Sequence, residues 1–221
     1  MPTLPGVVRA ASPGARGFDA SDTLSDATIA AAVSKGFTFC LRYLRFEDHL
    51  RPGDLDNDEA ARIVNAGLAL MAIFPYPGDG WSPDEATGTL YGTRSANAAL
   101  EIGFPSGVNI WIDVEGVNAA SSAQDVIAFV NAWSAAVSEP GYVPGIYVGA
   151  NAGLDGNQLY YDLTLQHYWQ SGSIVPAVAV RGYQMIQTIR RPTPVIGTNP
   201  VDFDTTQTDH SGGNAQWLTL H

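Results

Sequence analysis

The sequence predicts an α/β chain folded as a (β/α)8 TIM-type barrel, with short or irregular connections in its last units. Three observations carry that prediction. Apolar strand-like runs alternate with helix-like segments at about 30 residues per unit, which implies parallel strands joined by crossover helices. Eight candidate strands can be picked out along the chain. A length of 221 residues falls a little short of the roughly 250 usual for such a barrel, a saving that short final connections would supply. The competing architecture, an open doubly wound sheet, is disfavoured because no G-x-G-x-x-G or G-x-x-x-x-G-K-[ST] follows any strand.

Residues 1–15, rich in Pro, Gly and Ala, read as an extended N-terminal arm, and the barrel is expected to span 16–207. GFDASD is the first strand, ending at Asp19. SDATIAAAVSKG is the first helix, with Ser25 as N-cap and Gly36 as stop. FTFCLRYL follows as the second strand and carries Arg42 and Tyr43 at its end. DNDEAARIVNAG places Asp56 and Glu59 at capping-box spacing and ends at Gly67. LALMAIF is the third strand, running out into the loop PYPGDGWSP, which holds Tyr76 and Trp81. A helix over 83–103 is interrupted in pattern by Gly88 and Gly92. After the fourth strand, SSAQDVIAFVNAWSAAVSEPG spaces Val126, Val130, Trp133 and Val137 for one helical face. YVPGIYVG is the fifth strand, and YYDLTLQHYWQS, AVAVRGYQMIQT and NPVDFDTTQ supply the last three. Residues 208–221, broken by Gly212 and Gly213, are expected to form a tail that the barrel can spare.

The fourth strand, VNIWIDVEGVN, is the centre of the chemistry. Alternation along a strand puts Asp113 and Glu115 on one face with Trp111, and Val108, Ile110, Ile112 and Val114 on the other. A pair of acids delivered by an apolar strand to a rigid rim suits acid/base catalysis, although a D-x-E alone is equally the solvated end of a strand. The other strand ends therefore matter. In a barrel they gather at one rim, here bringing Asp19, Arg42, Tyr43, Tyr76, Asp113, Glu115, Tyr147, Trp169, Gln170, Gln187, Asp202 and Asp204 together. Several converging carboxylates repel one another unless a proton, a cation or a function compensates. Aromatic rings, amides and carboxylates around them suit a carbohydrate.

Charge and composition exclude other classes. A formal charge of -11 with 11 Lys and Arg argues against nucleic acid and anionic membrane surfaces as partners. The lone Cys40 cannot form an internal disulfide and sits in an apolar run as a small hydrophobe. No zinc pattern and no G-x-S-x-G anchor is present, and His49, His167, His210 and His221 read as loop or tail residues. Neither a cofactor nor a metal is expected, and the chain is expected to act as a monomer. The N-terminus lacks a secretory core, so action at a cell wall or in a periplasm would need lysis, a dedicated secretion system or fusion.

The runs RGFDA, FCLRYL with DNDEAARIVNAGLAL, YGTRSANAALEIGFPSGVNIWIDVEG, YVPGIYV and VDFDTTQ, in that order, resemble the domain-of-unknown-function family 1906, described as glycoside-hydrolase-like. The resemblance covers about residues 16–207. That family is in turn similar to glycoside hydrolase family 25, the barrel muramidases that cut the β-1,4 bond between N-acetylmuramic acid and N-acetylglucosamine in peptidoglycan. The resemblance implies Glu115 as general acid and Asp113 as the residue that orients the 2-acetamido group or stabilises charge at the anomeric carbon. Asp19 and Asp202 would support them. It also implies a glycan site, for which the rim reading offers Arg42, Tyr43, Tyr76, Trp81, Tyr147, Trp169, Gln187 and Asp204 as substrate-binding candidates, with Arg42 read also as a structural partner for a rim carboxylate. The chain departs from the muramidase pattern in GFDASDTLS and at Asp204, where those enzymes usually carry Asn. Two other readings stay open: a catalytically silent glycan-binding barrel, and a structural module in which Asp202, Asp204 and Asp113 hold a hard cation through oxygen ligands.

Overall fold

The computed structural model describes residues 2–220. Met1 and His221, the outer ends of the expected arm and tail, lie outside the described residues. In chain order the elements are β1 (Val7–Ala10), β2 (Arg16–Ala20), α1 (Asp26–Ser34), β3 (Phe39–Tyr43), α2 (Asn57–Asn65) and β4 (Ala69–Phe74). Next come α3 (Glu85–Ile102), β5 (Asn109–Val114), α4 (Ala123–Ser138), β6 (Val143–Val148), α5 (Gly156–Tyr161) and β7 (His167–Gln170). The chain finishes with β8 (Met185–Thr188), β9 (Val195–Ile196), β10 (Asn199–Pro200), β11 (Asp202–Thr206) and β12 (Gln216–Thr219). Strands β2 to β8 run parallel, β11 pairs with both β8 and β2, and the barrel is closed.

Alternation along the strands sorts the apolar residues into two layers. Phe39, Leu41, Met71, Ile73, Trp111, Trp169 and Met185 fill the barrel interior. Phe18, Cys40, Leu70, Phe74, Ile110, Ile112, Val114 and Ile146 face outward beneath the helices. Gly17 and Gly145 make room inside: a Cβ at Gly17 would strike the Phe39 ring, and one at Gly145 the Trp111 indole. The glycines that blur the pattern of α3 likewise serve packing, because α3 is continuous and a Cβ at Gly88 or Gly92 would overlap the α4 backbone at Phe129 or Trp133. Each glycine costs a helix about 1 kcal/mol relative to Ala, offset here by a close helix–helix approach.

The eighth barrel strand departs from the expected all-parallel arrangement. β11 is antiparallel to β2, with Asp202 opposite Asp19 and Asp204 opposite Gly17. A parallel strand would require the chain to return to the far end of the barrel, usually by way of a crossover helix. The link over 189–201 instead folds into the β9–β10 hairpin and enters β11 from the rim. Asp202 therefore reaches the mouth at the start of its strand, where Asp19, Asp113 and Glu115 arrive near or just beyond the ends of theirs.

The arm and the tail are not appendages. β1 and β12 form an antiparallel pair running from Val7↔Thr219 to Ala10↔Gln216, and Leu218 bridges to Leu70 of β4. The registered β4–β5 pairing starts only at Ala72↔Ile110, and the β1–β12 ribbon is joined to the barrel below that point. The Gln216 N–H donates to the side-chain oxygen of buried Asn109, whose amide donates to the Val143 carbonyl. Trp217 lies against the Phe39 ring, centroids 5.5 Å apart, and caps the interior layer from below.

A second departure concerns Arg42, expected at the glycan-binding rim. Tyr43 and Arg42 are neighbours on one strand, so only one can face inward, and Tyr43 does. Arg42 points out under α2 and is fully buried. Its guanidinium donates to both oxygens of Glu59, at 2.7 and 3.3 Å, and to the carbonyls of Ala20 and Gly53. Glu59 consequently does not complete the capping box with Asp56: it accepts from the Leu24 N–H instead, while Asp56 still caps the Glu59 N–H. Arg42→Met should destabilise the fold by about 3–5 kcal/mol, because Glu59 is left as a buried unpaired charge. Adding Glu59→Leu should recover much of that loss in a denaturant melt. A single variant as stable as wild type would contradict the strut.

Candidate active site

Four inward-facing acids, Asp19, Asp113, Asp202 and Asp204, surround the mouth with Glu115, which follows directly on β5. Two adjoining clefts share Ser21 and Tyr43. One, of about 350 Å³, is lined by Tyr76, Asp113 and Glu115, and the other, of about 200 Å³, by Asp19, Asp202 and Thr193. Asp54 also borders the larger cleft. A separate depression of about 290 Å³ on the α2–α3 side holds Arg45, Asn57 and Glu101, away from the acids.

Beneath the clefts the acids are held by neutral donors. The Tyr147 hydroxyl donates to the Gln187 side-chain oxygen at 2.9 Å, and the Gln187 amide donates to Asp19 Oδ2 at 2.9 Å. The Gly172 N–H also donates to that Gln187 oxygen, which fixes the amide's orientation. Trp169 Nε1 donates to Asp204 Oδ1 at 3.0 Å. Asp113 Oδ1 is buried and has no partner among the described residues. No salt bridge reaches these acids among the described residues.

Burial raises every acid of the group. Asp19 is pushed up to about 7, by burial first and also by the charge of Asp202, against the lowering effect of the Gln187 and Asp204 hydrogen bonds. Burial, then the charges of Glu115 and Asp19, holds Asp113 well above the usual carboxylate range. Burial and then Asp79 raise Glu115. Asp202 is raised by burial, with Arg191 opposing.

The linkage to stability has a definite sign. For an acid raised by folding, the native state holds more protons than the unfolded chain between the two values, so stability is full below the unfolded value and falls as pH rises through the folded one. The melting temperature should therefore be higher at about pH 5 than at about pH 8, and Asp113→Asn should flatten the difference. A wild-type profile that rises over that window would contradict an uncompensated acidic cluster.

Glu115 is set apart by position. It is half-buried, whereas Asp19, Asp113 and Asp204 are between 1% and 6% exposed. Its backbone carbonyl accepts from Trp81 Nε1 at 2.8 Å, and the Gly116 N–H donates to the Ala150 carbonyl. The loop after β5 is thus tied to the loops after β4 and β6. Gly149 supplies the space, because a Cβ there would overlap the Glu115 side chain.

Several residues expected to touch a glycan line neither cleft. Trp169 is 1% exposed and lies edge-on between Trp111 and Tyr147, and Asp204, also 1% exposed, is bound beneath it. Both hold the acids from below. Gln187 and Tyr147 are buried links in the hydrogen-bonded chain to Asp19. Gln170 is only partly buried, at the end of β7. Trp81 is partly exposed, but its ring packs on Phe129 of α4 and its N–H is engaged by the Glu115 backbone. Tyr43 and Tyr76 remain as the aromatic walls of the larger cleft. His167, expected in a loop, opens β7 near Trp111 and is lowered to about 4 by burial and then by Arg181.

Asp79 escaped the sequence reading. It is an exposed carboxylate on the loop after β4, close enough to Glu115 and Tyr76 to raise both. Its signal was the Gly-Asp-Gly run: Gly78 and Gly80 take φ of 119° and 81°, and the Gly80 N–H donates to the Gly116 carbonyl. Among the described residues no group of three or more His, Cys, Asp or Glu is arranged to hold a metal ion. Nor is any helix long and apolar enough to cross a membrane among those residues.

Residues 30–210 match the family described as Rv2525c-like, glycoside hydrolase-like domain. The Tat-secreted protein Rv2525c of Mycobacterium tuberculosis, in complex with L-tartrate, is 15% identical, with 88% of this chain and 96% of that one covered at a TM-score of 0.64. The bacterial lysozyme from Streptomyces coelicolor is 15% identical, with 89% and 93% covered and a TM-score of 0.60. A family 25 glycosyl hydrolase from Bacillus anthracis is 11% identical, with 88% and 89% covered and a TM-score of 0.59. Identities this low establish a shared fold. No curated protein matches the chain in sequence.

Proposed function

Because the chain belongs to the Rv2525c-like, glycoside hydrolase-like domain family, we propose that it is a glycosidase of peptidoglycan or a related glycan, cleaving β-1,4 bonds by carboxylate acid/base chemistry. The observation that carries the reading is Glu115: a half-buried, raised acid with no cation partner among the described residues, lining the larger cleft beside a deeper acid. A general acid must hold its proton at working pH and reload it from solvent. Glu115 is shifted in the direction the first need requires and its half-buried position meets the second, whereas Asp113 below it is too enclosed to reload from solvent.

In this reading Glu115 passes its proton to the glycosidic oxygen as the bond to the anomeric carbon breaks. A water then adds at that carbon and returns a proton to Glu115. Asp113 orients the 2-acetamido group or stabilises the positive charge that develops, while Asp19 and Asp202 support it from the neighbouring cleft. Tyr43 and Tyr76 contact the sugar. Delivery to a cell wall or periplasm fits the substrate, and the neighbour Rv2525c is described as Tat-secreted. A silent glycan-binding barrel would rely on exposed aromatic platforms, and the indoles of Trp111, Trp169 and Trp81 are buried or engaged.

Titration calorimetry separates ligand classes. Muropeptides should release heat on binding and Ca²⁺ or Mg²⁺ should not. Heat from the cation alone would replace the glycan reading with the cation-holding module.

A further inference from the structure

Asp204 is the least accessible acid at the mouth, and the chemistry assigned to Glu115 does not use it. It is 1% exposed, and β11 sets it across from Gly17, one pleat below the Asp202–Asp19 pair. Oδ1 accepts from Trp169 Nε1, while Oδ2 is buried without a partner if both carboxyls are ionised. Asp19, two residues along β2 from Gly17 on the same inward face, is the diagonal cross-strand neighbour of Asp204 and already accepts from Gln187 on Oδ2. Two side-chain donors, one indole and one amide, are thus offered to two enclosed carboxyls. The groups around the pair are neutral or acidic: Asp202 on β11, Tyr43 on β3, Asp113 on β5, Tyr147 on β6, Trp169 on β7 and Gln187 on β8; Arg191 acts on Asp202 and not on the pair.

We propose that Asp19 and Asp204 share one proton, carried on Asp204, whose O–H donates to the Asp19 carboxylate. The pair then bears one negative charge, presented at the cleft by Asp19. The otherwise orphaned Oδ2 is satisfied as a donor, and the pair avoids a second buried charge, which the neutral donors around it do not offset. Burial and the charge of Asp19 both favour the proton on Asp204. Asp204 is accordingly a positioning residue: it and Gln187 hold the Asp19 carboxylate from two sides, through the chain Tyr147, Gln187, Asp19, Asp204 and Trp169. The service to Asp19 rests on the glycosidase reading, whereas the shared proton does not.

The test is carbon NMR of aspartate-labelled protein, with the Asp204 side-chain carbon assigned by its loss in Asp204→Asn and followed from mildly acidic to mildly alkaline pH. The expected result is a protonated-acid shift for Asp204 at neutral pH and a carboxylate shift for Asp19 above its transition. Asp204→Asn, which keeps a donor to Asp19 and an acceptor for Trp169, should match wild type in melting temperature. Asp204→Leu, which leaves Asp19 and the Trp169 N–H unpartnered, should melt lower. A carboxylate shift for Asp204 at neutral pH overturns the proposal. So does an Asp204→Asn variant that melts as low as Asp204→Leu. If wild type cleaves no glycan while Asp204 shows the acid shift, the glycosidase reading fails and the shared proton stands.

Discussion

Glu115→Gln is expected to lower turnover of purified peptidoglycan by at least the roughly 10²-fold that a positioned general acid contributes. The substitution is nearly isosteric and removes the transferable proton while keeping the contacts of the Glu115 backbone with Trp81. Glu115 is raised chiefly by burial and then by Asp79, so a neutral amide also relieves repulsion, and the variant should melt at or above the wild-type temperature. Stability and turnover therefore move apart, which a folding defect could not imitate. Asp113→Asn should impair turnover too. Asp48→Asn should not: Asp48 is exposed and pairs with Arg94.

The second large effect lies at the other end of the barrel. Truncation after Gln207 removes β12 and strips β1 of its partner. It also uncovers Phe39 and leaves Asn109 without its Gln216 contact. Trp217→Ala alone should cost about 3–5 kcal/mol, the range for truncating a buried large aromatic side chain. The full truncation should fail to give soluble folded protein. A truncated chain with an unchanged melting temperature would show that the ribbon only decorates the barrel.

Much of this was legible from alternation. Ile110, Ile112 and Val114 against Trp111, Asp113 and Glu115 sort to the two faces of β5 as their spacing requires. The same rule, applied to β3, would have chosen Tyr43 over Arg42 for the mouth, since adjacent residues cannot share a face. Depth was not legible. Trp169 and Asp204 do face inward, but whether an inward residue lies at the mouth or in the packed layer below depends on strand register, which one strand's sequence does not contain. Strand direction was hidden too, because β11 runs antiparallel on account of where the link before it folds. The strand β12 is short, interrupted in approach by Gly212 and Gly213, and takes its role from a distant partner, Val7–Ala10.

The central claim is that this mouth cleaves a glycan with Glu115 supplying the proton. It is tested most directly by measuring new reducing sugar ends released from purified peptidoglycan, with chitin oligomers in parallel, by wild type and Glu115→Gln at equal concentrations of folded protein. Release by wild type and its near-complete loss in the variant is the predicted result. Binding without release by wild type, or undiminished release by Glu115→Gln, would contradict it.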